Sequence, residues 1–264
     1  MLSRILIILS LMICERTSIH AFELKRVILA TNDHPHYIQF WPIVAPLWRA
    51  MGLVPTLAWI ADKDCMIDTS LGDVIRVAPI PGVSGALQAQ TIRLLLPALF
   101  PDDVCLISDI DMLPISQTYF MDGAKECPDD TFLVYRDQAY GRHYRRFPMC
   151  YIAAKGKVFA SVFEISNLEE INATIANWAS RGYGWNTDEK MLYIYLKCWE
   201  SAGGSVTYLG HDVGPRIDRI DWPQALDALN ITNYIDCHCP RPYLDYAESI
   251  DYIAQAILKQ WKDL

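Results

Sequence analysis

Asp109 and Asp111 stand two residues apart at the end of a short apolar run, Val104-Cys105-Leu106-Ile107, and this is the sharpest chemical signal in the chain. On a strand, side chains two apart point to the same side, so the carboxylates converge while Ile110 turns into the protein. Converging carboxylates repel unless a cation lies between them. Hard divalent ions such as Mg²⁺ and Mn²⁺ take oxygen ligands and usually complete their shell with substrate phosphates. The plain alternative for an isolated Asp-x-Asp is a solvated acidic turn.

Other residues gain meaning from where they fall around this pair. Gln90 and Arg93 lie three apart on an expected helix, on a face that the Leu87, Leu94, Leu95, Ala98 and Leu99 stripe does not use. Arg93 is therefore either a surface arginine or a cation reaching the edge that carries Asp109 and Asp111. Asp188 and Glu189 open a helix after a break rich in glycine and aromatics, where Thr187 or Asp188 can serve as its cap. The stretch Arg136–Arg146 holds Arg142, His143, Arg145 and Arg146 and is the most basic in the chain, a solvated loop or the lid of a neighbouring site. Cys237-His238-Cys239 invites a zinc reading, but it lacks the second pair of ligands of a closed structural site, so buried thiols or a disulfide fit it better.

The elements that would position these groups alternate. Val27–Thr31 reads as a first strand, closed by the turn Asn32-Asp33-His34-Pro35, with helix from about 37 to 51. Thr56–Ile60 and Val74–Val77 read as strands. Ser84 caps a helix over 85–100 whose last turn Pro97 kinks or shortens. Strands follow at 132–135, 149–154, 206–209 and 234–237, the last delivering His238, with helices over 168–180, 189–202 and 245–261. This alternation predicts an α/β fold with a mixed, mostly parallel central sheet flanked by helices, which binds ligands at the carboxyl edge of its strands.

The 264 residues suffice for one large domain, and no repeat or linker divides them. A formal net charge of −8 argues against nucleic acid as a partner and requires a metal or a local basic pocket for any anionic ligand. Residues 1–21 have the order of a secretory signal peptide: a basic start, a ten-residue apolar run over Ile5–Cys14 and a polar end at Ala21. That run is about half of the ~20 residues that span a bilayer. The expectation is a cleaved signal or short anchor over 1–21, a single domain over 22–264, and work in a secretory lumen, the periplasm or outside the cell. Membrane attachment then requires the segment to stay uncleaved, and a cytoplasmic site requires that it not be a signal. Two glycosylation tripeptides, at Asn172 and Asn230, are compatible with export, and seven of the eight cysteines remain after cleavage.

The run from Gln90-Thr91-Ile92-Arg93 through Leu94–Pro97 to Ser108-Asp109-Ile110-Asp111 resembles the heart of GT-A fold glycosyltransferases (nucleotide-diphospho-sugar transferases with a Rossmann-like domain). It is most similar to the glycogenin-like and bacterial lipopolysaccharide galactosyltransferase group. The resemblance implies Mn²⁺ or Mg²⁺ on Asp109, Asp111 and His238, with His211 in its His-x-x-Gly-Pro segment as the alternative ligand. It also implies a nucleotide-sugar, first a UDP-hexose, bound by Asn32, Asp33, Tyr37, Arg93, Asp109 and Arg241. Asp188-Glu189 is similar to the family's Asp-Gln pair, which with Arg93 makes Asp188 and Glu189 the catalytic candidates. Glu189 would act as a base for the acceptor hydroxyl or as a stabiliser of an oxocarbenium-like centre, and the resemblance leans towards retention of configuration. Glu189 departs from the family's glutamine, and the glycine and lysine that follow the family's histidine are missing after His238. The resemblance covers about half of residues 27–243, and its acceptor, saccharide, lipid or protein, stays open.

Two rival functions remain at this level. A haloacid-dehalogenase-type phosphatase would use Asp109 as nucleophile and Asp111 as general acid, although its motif belongs at a first strand and continues differently. A lumenal domain that binds nucleotide-sugars without turnover is the other.

Overall fold

The computed structural model describes residues 22–262 apart from 63, 142, 211–214, 223–225 and 227–228. The expected segment 1–21 and His211 thus lie outside the described residues. A seven-stranded sheet forms the centre, in the order β3-β2-β1-β4-β7-β6-β8. Its strands are β1 (Leu24–Asn32), β2 (Val54–Ile60), β3 (Asp73–Val77), β4 (Val104–Ile107), β6 (Phe132–Val134), β7 (Ile152–Lys155) and β8 (Val206–Tyr208). The pairs β2–β3, β1–β2, β1–β4 and β6–β8 are parallel, and β7 runs antiparallel to both β4 and β6. The sheet is mixed and mostly parallel, as the alternation of elements predicts.

Alternation along β1 explains the two-sided core. Val27 and Leu29 enter one apolar cluster and Ile28 the other, because successive side chains leave a strand on opposite faces. On the first side, α2 (Trp41–Ala50) and α8 (Tyr243–Lys262) pack together, with Trp41 and Trp48 buried. On the other lie α3 (Gly85–Leu95), α5 (Gly156–Phe163), α6 (Leu168–Ala179) and α7 (Thr187–Ser201). α4 (Gln117–Lys125) buries Phe120 in the first cluster. No helix among the described residues is long and apolar enough to cross a membrane.

Two expected elements differ in detail. The helix expected over 37–51 is broken into α1 (Pro35–Ile38) and α2; Pro42, which has no N–H to give an earlier turn, sits in the first turn of α2, where that donor is unused anyway. The helix expected over 85–100 is α to Leu95 and then a 3-10 turn over Leu96–Leu99 with Pro97 at its start. Ser84 caps α3 as expected, its side chain accepting the Leu87 N–H at 3.3 Å.

A second sheet has three strands, in the order β5-β10-β9, with β5 (Met112–Pro114), β9 (Arg216–Ile217) and β10 (Asp236–His238). β10 is antiparallel to β5, which places His238 opposite Met112 and Asp236 opposite Pro114. This small sheet carries the C-terminal part of the chain back to the acids.

Candidate functional site

Asp109 and Asp111 do not lie on a strand. β4 ends at Ile107, the N–H of Ser108 makes the last bond to Ile28 O at 3.1 Å, and the chain then turns, with Met112 N–H donating to Asp109 O at 3.3 Å. Convergence therefore comes from the turn between β4 and β5 rather than from strand alternation. Ile110 is buried beneath it and Asp111 is buried too, while Asp109 is partly open. His238 joins them because the last residue of β10 pairs with Met112 and because Cys239 N–H donates to Asp111 O at 2.8 Å. Ligand atoms of Asp109, Asp111 and His238 all lie within 4.8 Å of one another.

Two carboxylates and one imidazole form a donor set that suits Mn²⁺ or Mg²⁺, with room for oxygens from a ligand. His238 supplies a neutral nitrogen. Burial holds its pKa below the ordinary histidine value, outweighing the pull of Asp111, and its Nδ1 lies 3.2 Å from Asp218 Oδ1, the kind of partner that orients a metal-binding ring.

These groups line a cavity of about 490 Å³ at the carboxyl edge of β1 and β4. Its wall carries five arginines and five carboxylates, so the local charge is balanced and an anion does not meet the −8 of the whole chain. Arg93, in the last turn of α3, is buried and not a surface arginine: it pairs with Asp109 and lies 3.3 Å from Asp188 Oδ2. Arg219 pairs with Asp111, and Arg241 Nε stands 3.5 Å from the same oxygen. The repulsion expected between the two acids is thus relieved by arginines of the chain itself.

The cavity is also lined by Asn32, His34 and Tyr37, from the end of β1, the turn after it and α1. The Arg241 guanidinium sits 4.6 Å from the centre of the Tyr37 ring and fixes an aromatic face there. Asp33 is exposed on the same turn and does not line the cavity; His34 takes that place. Asp188 and Glu189, which line the cavity too, open α7, before which Gly182 and Gly184 adopt the positive φ that turns the chain into the helix. Thr187 does not cap α7 in the expected way, because its hydroxyl donates to Gly184 O at 2.7 Å. Asp188 Oδ1 accepts the Glu189 N–H at 2.9 Å. Burial pushes the Asp188 and Glu189 carboxyls above their ordinary pKa values, in part offset by Arg93 at Asp188 and by the Tyr140 hydroxyl at Glu189.

The basic loop after β6 does reach the site. Tyr140 donates its hydroxyl to Glu189 Oε1, and Arg146 Nη1 lies 3.3 Å from Glu189 Oε2 while stacking on the Tyr140 ring at 4.2 Å. Arg136 lines the cavity and is buried, and Trp185 stands exposed at its rim. The functional candidates that the sequence reading passed over are Arg216, Asp218 and Arg219. They come from an irregular stretch with no periodicity, and the one signal available was its mixture of arginines and aspartates. Cys237 and Cys239 are buried free thiols next to His238.

No family model matches the chain, and no curated protein matches it in sequence. Comparison with solved structures identifies the fold as the GT-A fold of glycosyltransferases. The apo structure of the bifunctional glycosyltransferase WbbM superimposes with a TM-score of 0.52 at 10% identity, over 90% of this chain and 51% of that one. The glycosyltransferase GlyE of Streptococcus pneumoniae TIGR4 gives 0.51 at 12% identity, over 90% and 64%. This chain therefore spans about half of the one and about two thirds of the other. The galactosyltransferase LgtC in complex with donor and acceptor sugar analogs gives 0.49 at 12% identity, over 88% and 95%.

Proposed function

We propose that the chain is a metal-dependent glycosyltransferase that moves a hexose from a nucleotide-sugar, first a UDP-sugar, to a hydroxyl acceptor. The observation that carries this reading is the meeting of Asp109, Asp111 and His238 within 4.8 Å, in a cavity that Tyr37 and Glu189 also line. Asp109, Asp111 and His238 would hold Mn²⁺ or Mg²⁺, which when bound neutralises charge on a diphosphate leaving group. Tyr37, kept in place by Arg241, offers a face for a base, and Asn32 offers hydrogen bonds beside it. Arg93 bridges Asp188 and Asp109 and can give donors to the sugar or the phosphates. Glu189 lines the same cavity, clamped by Tyr140 and Arg146. A carboxylate held on both oxygens is better suited to stabilising positive charge at an anomeric carbon than to swinging as a base.

Support for the donor class comes from the fold, whose solved examples are glycosyltransferases, and from the balanced charge of the cavity. Residues 1–21 would take the domain into a secretory lumen. A screen of nucleotide-sugars for slow hydrolysis with Mn²⁺ tests the reading, because water can replace an unknown acceptor. One donor turned over only with metal is the expected result. Hydrolysis of generic phosphate esters through a phospho-aspartyl intermediate at Asp109 would instead establish the phosphatase reading, and nucleotide binding without any turnover the inactive one.

A further inference from the structure

The two oxygens of the Asp111 carboxylate face different partners. Its Oδ1 faces His238 Nε2 at 3.9 Å, on the side of the Asp109, Asp111 and His238 cluster. Its Oδ2 is taken by Arg219 and approached by Arg241 at 3.5 Å. A divalent ion held on Oδ1 therefore shares one carboxylate with at least one guanidinium, and two cations on a single carboxylate repel. Arg241 is anchored under Tyr37. Arg219 lies on the short turn Arg219–Asp221 between β9 and β10, lines the cavity, keeps about a quarter of its side chain open at 28%, and donates its Nε–H to Cys239 O at 3.0 Å.

From this arrangement we propose that Arg219 makes the binding of the divalent cation and of a diphosphate anion mutually dependent. Alone, the cation competes with the Arg219 charge for Asp111. With a diphosphate present, both cations have a second anion to share, and the repulsion that burdened the first step becomes attraction to the second. The coupling is reciprocal by thermodynamic necessity: whatever factor the anion adds to cation affinity, the cation adds to anion affinity. Arg219 thus lets the site take cation and diphosphate as a pair, and a free divalent ion poorly. The inference rests on the metal-dependent reading above and adds to it a residue that the resemblance did not carry.

The test uses inorganic pyrophosphate as the anion, so that it depends on neither base nor sugar recognition. Mn²⁺ binding to the full chain is titrated with and without pyrophosphate, the solution complex of the two being measured separately and subtracted. For the unaltered protein, pyrophosphate should tighten Mn²⁺ binding about tenfold or more, within the range of about 5 to 150 that such couplings span. Arg219→Gln should bind Mn²⁺ alone about threefold or more tightly and lose most of the pyrophosphate effect, with a melting curve to confirm folding. Arg219→Lys, which keeps the charge, should retain most of the coupling. Coupling that survives in Arg219→Gln, or that is lost equally in Arg219→Lys, overturns the role of the Arg219 charge while leaving the metal-dependent reading intact. Absence of Mn²⁺ binding in the unaltered protein under both conditions overturns that reading and this inference together.

Discussion

Asp111 and His238 are held side by side by main chain: His238 is opposite Met112 in the β5–β10 register, and the next residue, Cys239, donates its N–H to Asp111 O at 2.8 Å. Strand pairing therefore brings the two residues together. His238→Ala should leave the fold in place and lower Mn²⁺ affinity about a hundredfold, whereas Asp218→Asn, which alters the partner of the ring and the cap that Asp218 Oδ1 gives the Arg219 N–H, should cost about tenfold. Titration calorimetry measures both. An equal effect of the two would make the histidine a structural residue.

The two acids differ from what repulsion alone implies. Since Arg93 and Arg219 already compensate them, Asp111→Asn gains little from relieving repulsion and leaves partly open guanidiniums that solvent can satisfy. We expect a change in stability of less than about 1 kcal/mol, together with loss of metal-dependent donor turnover by Asp109→Asn and by Asp111→Asn. A large drop in melting temperature with turnover preserved would make these acids structural.

Beneath the site, Asp236 is completely buried, with Arg216 on both of its oxygens and the Tyr151 hydroxyl donating to it at 2.8 Å. Asp236 is two residues from His238, so this network fixes the strand that presents the histidine. Removing one partner of a buried pair strands the other charge, and Asp236→Asn should destabilise the fold by about 3–5 kcal/mol. Urea unfolding reads the loss directly; a cost within about 1 kcal/mol would show that Arg216 finds another partner.

Much of the sheet could be read from apolar runs, because β2, β4 and β7 are covered on both faces or nearly so and need no alternation. The start of α3 was equally plain, since Ser84 is a capping residue before a helical stripe. Other features depended on distance in the chain. Tyr140 and Glu189 are 49 residues apart and Arg219 and Asp111 are 108 apart, and neither pairing leaves a local pattern. β9 has only two residues, too few for any periodicity, yet its pairing with β10 is what brings Arg216 to Asp236. The turn that carries Asp109 and Asp111 was hidden for another reason: Ser108-Asp109-Ile110-Asp111 alternates polar and apolar residues as a half-buried strand would, and only the end of pairing at Ile107 marks it as a turn.

The last prediction concerns pH and Glu189. Burial raises its carboxyl pKa above the ordinary value of 4.5, with the Tyr140 hydrogen bond and Arg146 offsetting part of the effect. A carboxyl whose folded-state pKa is raised binds more protons in the folded state than in the unfolded one. Its favourable contribution is therefore complete below the ordinary value and is lost as pH rises through the raised folded value. Glu189→Gln keeps an oxygen for Tyr140 and carries no charge to bury. It should thus gain stability relative to the unaltered protein at about pH 7 and gain none at about pH 4, where both forms are neutral. If the clamped carboxylate stabilises a cationic anomeric centre, the same substitution lowers kcat while leaving Mn²⁺ and pyrophosphate affinity unchanged, and Tyr140→Phe, which frees one oxygen, lowers kcat less. Melting curves at the two pH values and donor hydrolysis rates decide it. A Glu189→Gln variant that is less stable at neutral pH than at acid pH, relative to the unaltered protein, would mean that the Arg146 ion pair outweighs the cost of burying the charge.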